Sequence, residues 1–198
     1  MKVLMVIPSL ECGGAERNLT LMANYWVSNG WEVMVVKLDK SENEPFFALD
    51  PRVEICSLGV LRSKRGIIRS GISIALGVLP LCRAIRAYNP KLVISFVNGA
   101  NLLSLVATNL GSDIPLVLTE HTHPSYYSRF SVGRFLRLSP YHFARAIVVN
   151  NEQSERWLKS LGLTAIYRIP NPVEKLNVED APRTDSRFNF VSVGRLVH

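Results

Sequence analysis

Short runs of aliphatic and β-branched residues alternate along this chain with stretches whose apolar positions recur at helical spacing. Lys2–Ile7 is such a run, apolar after its first residue, the pattern of a strand buried on both faces of a parallel sheet. Across Ala15–Ser28 the side chains Leu19, Met22, Ala23, Trp26 and Val27 fall near a helical period, and Asn29-Gly30 supplies the stop. The same reading predicts strands at Glu32–Leu38, Val53–Leu58, Leu92–Phe96, Leu116–Thr119, Ala146–Val149 and Ala165–Ile169. It predicts helices at Ile67–Tyr88, Asn101–Leu110, Phe135–Phe143 and Glu152–Leu161, the first of them bent at Pro80 and ended by Asn89-Pro90. Strands that alternate with helices in this way predict an α/β fold, a Rossmann-like, doubly wound and mainly parallel sheet covered on both faces.

The texture changes after Ile169. PNPVEKLNVEDAPRTDS holds three prolines and few apolar residues, which reads as a linker, and Phe188 then opens a new strand. The expected organisation is a Rossmann-like domain over residues 1–173, a linker over 174–187, and the first strand of a second domain over 188–198. A strand with no helix to cover it predicts a chain that is incomplete as given and inactive alone. The first residues, MKVLMVIPSL, have too short an apolar run for a secretory signal and suit a first strand. Ser70–Cys82 is shorter than the ~20 residues of a membrane span, and polar residues at 98 and 101 interrupt Leu92–Ser112, so neither is expected to cross a bilayer. Cys12, Cys56 and Cys82 have no metal or redox spacing, which predicts a reducing cytoplasm.

Charge adds one feature. The net charge of +7 is uneven: no acid occurs between Ile55 and Ser112, a stretch that carries Arg62, Lys64, Arg65, Arg69, Arg83, Arg86 and Lys91. The segment LRSKRGIIRSGISIALGVLPL joins four of these bases to an apolar helix, which makes an anionic membrane surface a candidate partner and peripheral attachment to its inner face a candidate location. Its alternative is a core helix with a solvated basic end. Nucleic acid is not expected, because the basic stretches lack interleaved aromatics and any reader motif.

Five candidate sites lie at the carboxyl ends of predicted strands, where open α/β sheets bind ligands. ECGGAERN follows the first strand. Its Gly13 and Gly14 would let a diphosphate approach the start of the next helix, or would merely allow a tight turn. The spacing is not that of a dinucleotide fingerprint, although Asp39 ends the second strand where such a site would want an acid. TEHTHP places Glu120, His121 and His123 after another strand. The histidines lack a third ligand for a metal, and Glu120 is a base or a cap for the next turn. Asn98, after Phe96-Val97, is a substrate contact or the cap of the following helix. Asn171-Pro172 is a rigid hinge turn. Gly194-Arg195 repeats the first arrangement, with an arginine suited to a phosphate.

Taken together, Ile7-Pro8-Ser9-Leu10 running into GGAE, the strand ending at His121, Asn171-Pro172-Val173 and the terminal VSVGRL resemble family 4 of the nucleotide-sugar glycosyltransferases, over the whole chain. The resemblance implies the GT-B fold, in which an acceptor-side N-terminal domain faces a donor-binding C-terminal one. It implies that Gly13, Gly14 and Arg195 contact the donor diphosphate, that His121 sits at the reacting centre, and that Glu16, Asn98, Glu120 and His123 are acceptor-side candidates. It also implies retention of anomeric configuration, no metal, and no cofactor beyond the nucleotide-sugar, which is a substrate. The acceptor would be a glycan or a lipid-linked glycan of the cell envelope. The family's lysine beyond the arginine and its E-x7-E pair are absent from this sequence. The alternatives are a non-catalytic Rossmann-like module that binds a glycan or a membrane surface and, third, a nucleotide-dependent oxidoreductase.

Overall fold

The computed structural model describes residues 1–61, 71–121 and 139–173. The basic residues Arg62, Lys64, Arg65 and Arg69, the linker over 174–187 and the strand over 188–198 lie outside them.

Seven strands form one sheet in the order β3-β2-β1-β4-β5-β6-β7. They are β1 (Lys2–Ile7), β2 (Glu32–Asp39), β3 (Glu54–Leu61), β4 (Leu92–Phe96), β5 (Leu116–Glu120), β6 (Ala146–Val149) and β7 (Ile166–Arg168). Every pairing is parallel. The helices are α1 (Gly14–Ser28), α2 (Gly71–Tyr88), α3 (Asn98–Gly111) and α4 (Glu152–Ser160), with a 3-10 turn over Ser139–Phe143. The alternation read from the sequence is therefore an all-parallel Rossmann-like sheet.

Some boundaries differ, β3 for one running to Leu61 rather than Leu58. α3 begins at Asn98 rather than Asn101, because Val97 adopts a φ of 69° and turns the chain straight from β4 into the helix. Ser139–Phe143 is 3-10 where an α-helix over Phe135–Phe143 was expected; Pro140 brings no N–H to that turn, and Phe135–Leu138 lie outside the described residues. β7 is shortened at both ends.

Side-chain alternation along the strands divides the core into two layers. Leu4, Val6, Val93, Leu116 and Leu118 pack with α2, α3 and α4 through Leu81, Ile85, Leu103 and Leu158. Val3, Met5, Ile7, Ile94 and Phe96 pack on the other face with Leu19, Ala23 and Val27 of α1. The helices that follow β1 and β4 thus leave the sheet on opposite sides. The carboxyl ends of these two central strands border the crevice where ligands of such sheets bind.

α2 and α3 meet closely at Gly77. A Cβ there would lie 3.0 and 3.1 Å from the two methyl carbons of Leu103, which is fully buried. Gly77→Leu should therefore overpack this contact and cost about 1–3 kcal/mol, read as a lower urea midpoint at unchanged slope. An unchanged midpoint would mean that the two helices separate without cost.

Candidate functional site

The crevice is bordered by the first turn of α1. Gly13 is the N-cap, in extended backbone, and has no side chain of its own with which to cap the helix. The Glu16 carboxyl group folds back over Gly13, with its Cδ 2.8 Å from where a Cβ would stand. As the third residue of the helix, Glu16 also lies where a negative charge suits the helix dipole. A Cβ on Gly14 would meet nothing within 4 Å, so approach to this first turn is open.

One turn further along α1, Asn18 is buried. Its Nδ2 lies 3.3 Å from Nδ1 of His121, the residue that follows β5. The imidazole stacks on Phe96 of β4, with ring centroids 5.8 Å apart and planes inclined by 13°. Nε2 is buried and has no hydrogen-bond partner among the described residues. Burial holds the His121 pKa below the ordinary histidine value, favouring the neutral ring. Gly13, Gly14, Glu16 and His121 therefore gather on the α1 side, joined by a residue whose role the sequence reading missed. A signal for it existed: an asparagine inside a helix, beside the core position Leu19, is costly unless its amide has a partner.

Glu120 and Asn98 are brought together on the opposite face. Glu120 is only 2% exposed. Its Oε1 accepts hydrogen bonds from the Tyr141 hydroxyl and, at 3.0 Å, from Asn101 Nδ2. Asn101 Nδ2 also lies 3.1 Å from the Thr119 carbonyl. Asn98 Nδ2 donates to the Tyr141 hydroxyl at 3.3 Å. The cap reading of Asn98 is corrected, because Val97 occupies the cap position and Asn98 is the first helical residue. Tyr141 and Asn101 carried no mark in the sequence, since a tyrosine and an asparagine fit an ordinary helix pattern. His123 and Arg195 lie outside the described residues.

Asp39, the acid that a dinucleotide site would use, has its Oδ1 3.8 Å from Lys37 Nζ. Burial raises its pKa, opposed by the lysine. Among the described residues no group of three or more His, Cys, Asp and Glu side chains could hold a metal ion.

Residues 12–175 match the sequence profile of Glycosyltransferase Family 4. Over its whole length the chain is 28% identical to a Campylobacter jejuni protein, "GalNAc-alpha-(1->4)-GalNAc-alpha-(1->3)-diNAcBac-PP-undecaprenol alpha-1,4-N-acetyl-D-galactosaminyltransferase", of which it covers 54%. Among solved structures it resembles sucrose-phosphate synthase from Thermosynechococcus elongatus, with a TM-score of 0.67 at 14% identity, covering 85% of this chain and 47% of that one. It also resembles HepE from Anabaena in complex with UDP and glucose, with a TM-score of 0.61 at 17% identity, covering 88% of this chain and 45% of that one. The chain thus spans about half the length of these three proteins, and its fold is that of the N-terminal half of a GT-B glycosyltransferase.

The lowered pKa of His121 has a consequence for stability. An unfolded histidine takes up its proton near pH 6.5, whereas the folded ring resists it until lower pH. Below that pH the unfolded chain binds more protons, so this contribution is complete above pH 6.5 and is lost as pH falls through the folded pKa. Stability should therefore fall more steeply between about pH 7 and 5 in the wild type than in His121→Gln, measured by urea unfolding. Parallel profiles would show that the ring titrates as it does in water.

Proposed function

The chain belongs to glycosyltransferase family 4, and from that premise we propose that it forms the acceptor-side half of a retaining transferase that moves a sugar from a nucleotide-sugar to a glycan or lipid-linked acceptor. The family assignment displaces the oxidoreductase alternative. The observation that carries the reading is the conjunction of a helix start left open at Gly14 with a half-buried histidine, its pKa lowered by burial, that meets Asn18 one turn further along the same helix. The Campylobacter relative's name supplies the acceptor class, a glycan carried on diphospho-undecaprenol, and points to envelope glycoconjugate synthesis.

In this reading the donor's diphosphate approaches Gly13 and Gly14. The partial positive charge of the first turn of α1 stabilises the negative charge that develops as the sugar leaves. His121 contributes an N–H donor to the transferring sugar. Glu16, beside the glycines, faces the acceptor hydroxyl together with His123, while Asn98 and Glu120, buried on the opposite face, support the end of β5 behind the acceptor side. Residues 174–187 link to a donor-binding domain that begins with the strand over 188–198 and contributes Arg195 to the diphosphate. The nucleotide-sugar is a substrate, and the reading assigns no metal or cofactor.

A lipid-linked acceptor brings the protein to an anionic membrane surface on the cytoplasmic side. Leu76 and Leu79 support this part, as large apolar side chains that remain about two-thirds exposed on α2, close to the exposed Arg83. No described helix is long and apolar enough to cross a membrane.

Gly14→Val tests the site. The added side chain enters open space, so stability should change by less than about 1 kcal/mol. It would obstruct the diphosphate, so kcat/KM for sugar transfer by the full-length protein should fall by about 100-fold or more. Wild-type turnover in this variant would reduce the glycine loop to a turn. The membrane component predicts binding to vesicles that rises with anionic lipid and falls with salt. Equal binding to neutral and anionic vesicles would remove it.

A further inference from the structure

His121 has two ring nitrogens, and the structure treats them differently. Nδ1 lies 3.3 Å from Asn18 Nδ2, while Nε2 is buried without a partner among the described residues. An amide nitrogen can only donate, so a ring nitrogen that meets it must present its lone pair. A neutral imidazole with Nδ1 unprotonated carries its proton on Nε2.

We infer that Asn18 is a positioning residue for the transfer reaction, one that holds His121 in the Nε2–H tautomer and so makes it a hydrogen-bond donor to an oxygen-rich ligand. This deepens the transferase reading and rests on it only for the identity of the ligand, a sugar hydroxyl or a phosphate oxygen. Three features fix the geometry. Asn18 lies one turn beyond Gly14 on the rigid body of α1 rather than in the loop, and is itself only 5% exposed. Phe96 stacks against one face of the imidazole and fixes its plane. Asn18 then fixes the sense of the ring within that plane, because the flipped ring would present Cδ2–H, which cannot accept a hydrogen bond. A buried N–H with no partner is costly. The residual donor on Nε2 is therefore a group held ready for something that is not part of the described chain. A catalytic base would need the opposite arrangement, with Nδ1–H satisfied by an acceptor and Nε2 bare.

Asn18→Asp separates this inference from simple packing. It keeps the shape of the side chain and reverses the sense of the hydrogen bond, since a carboxylate only accepts. Nitrogen-15 NMR of the full-length protein without ligand reads the two ring nitrogens directly, with the exposed His142 as internal reference. The wild type should show Nδ1 unprotonated and Nε2 protonated. Asn18→Asp should transfer the proton to Nδ1 or protonate both nitrogens. Asn18→Ala, the fallback should the aspartate variant not fold, should give a mixture of tautomers. A wild-type ring protonated on Nδ1, or a tautomer indifferent to residue 18, would overturn the inference. In turnover, Asn18→Asp should lower kcat by about 10- to 100-fold with both KM values within about threefold. An unchanged kcat would overturn the positioning role. Should His121→Gln itself retain full turnover, the reading of His121 at the reacting centre fails instead, and the tautomer measurement still decides what Asn18 does.

Discussion

A carboxyl group buried at the end of β5 ties together three elements that are distant in sequence. Glu120 accepts from Tyr141 of the 3-10 turn and from Asn101 of α3, and Asn101 also reaches the carbonyl of Thr119. A buried carboxyl group without such partners would cost several kcal/mol, so the turn, the helix and the strand end are stable only in register with one another. Removing Tyr141 or Asn101 takes one of these hydrogen bonds from a carboxyl group that water cannot reach. This is why the end of β5, nominally the start of a loop, has the rigidity of the core.

That rigidity is passed to His121 by the simplest property of a strand. Successive side chains point to opposite faces, so fastening Glu120 on the α3 side aims His121 at the α1 side. There it meets Phe96, itself the last residue of β4, and Asn18. The two faces of the sheet thus divide the work. One carries a fully buried network that anchors the strand ends, and the other carries the residues of the proposed site. Neighbouring residues in TEHTHP that look equivalent in the sequence act on opposite sides of a sheet.

The sheet was legible from the sequence because its signal is strong. Runs such as VLMVI and LVISF are too uniformly apolar to be anything but buried strands, and Asn29-Gly30 and Asn89-Pro90 stop their helices unmistakably. The glycine loop and His121 were legible from position, each lying just past a strand. What escaped was the company these residues keep. Whether Asn98 caps a helix depends on the φ of Val97, which no local pattern announces for a β-branched residue. Asn18 and Tyr141 act across 103 and 21 residues of chain, and pairings of that kind are created by tertiary packing rather than by spacing.

The strand order also has a consequence for how the chain is made. β1 pairs with β2 on one side, but its other neighbour is β4, in the register Val3 to Leu92. A ribosome adding roughly 5–20 residues per second needs about 5–20 s to pass from one of these partners to the other. Throughout that interval this buried central strand has one unfilled edge. The nascent chain must therefore be shielded, by its own α1 or by a chaperone, until the centre of the sheet can close, and a translational pause before β4 would lengthen the period in which it can aggregate.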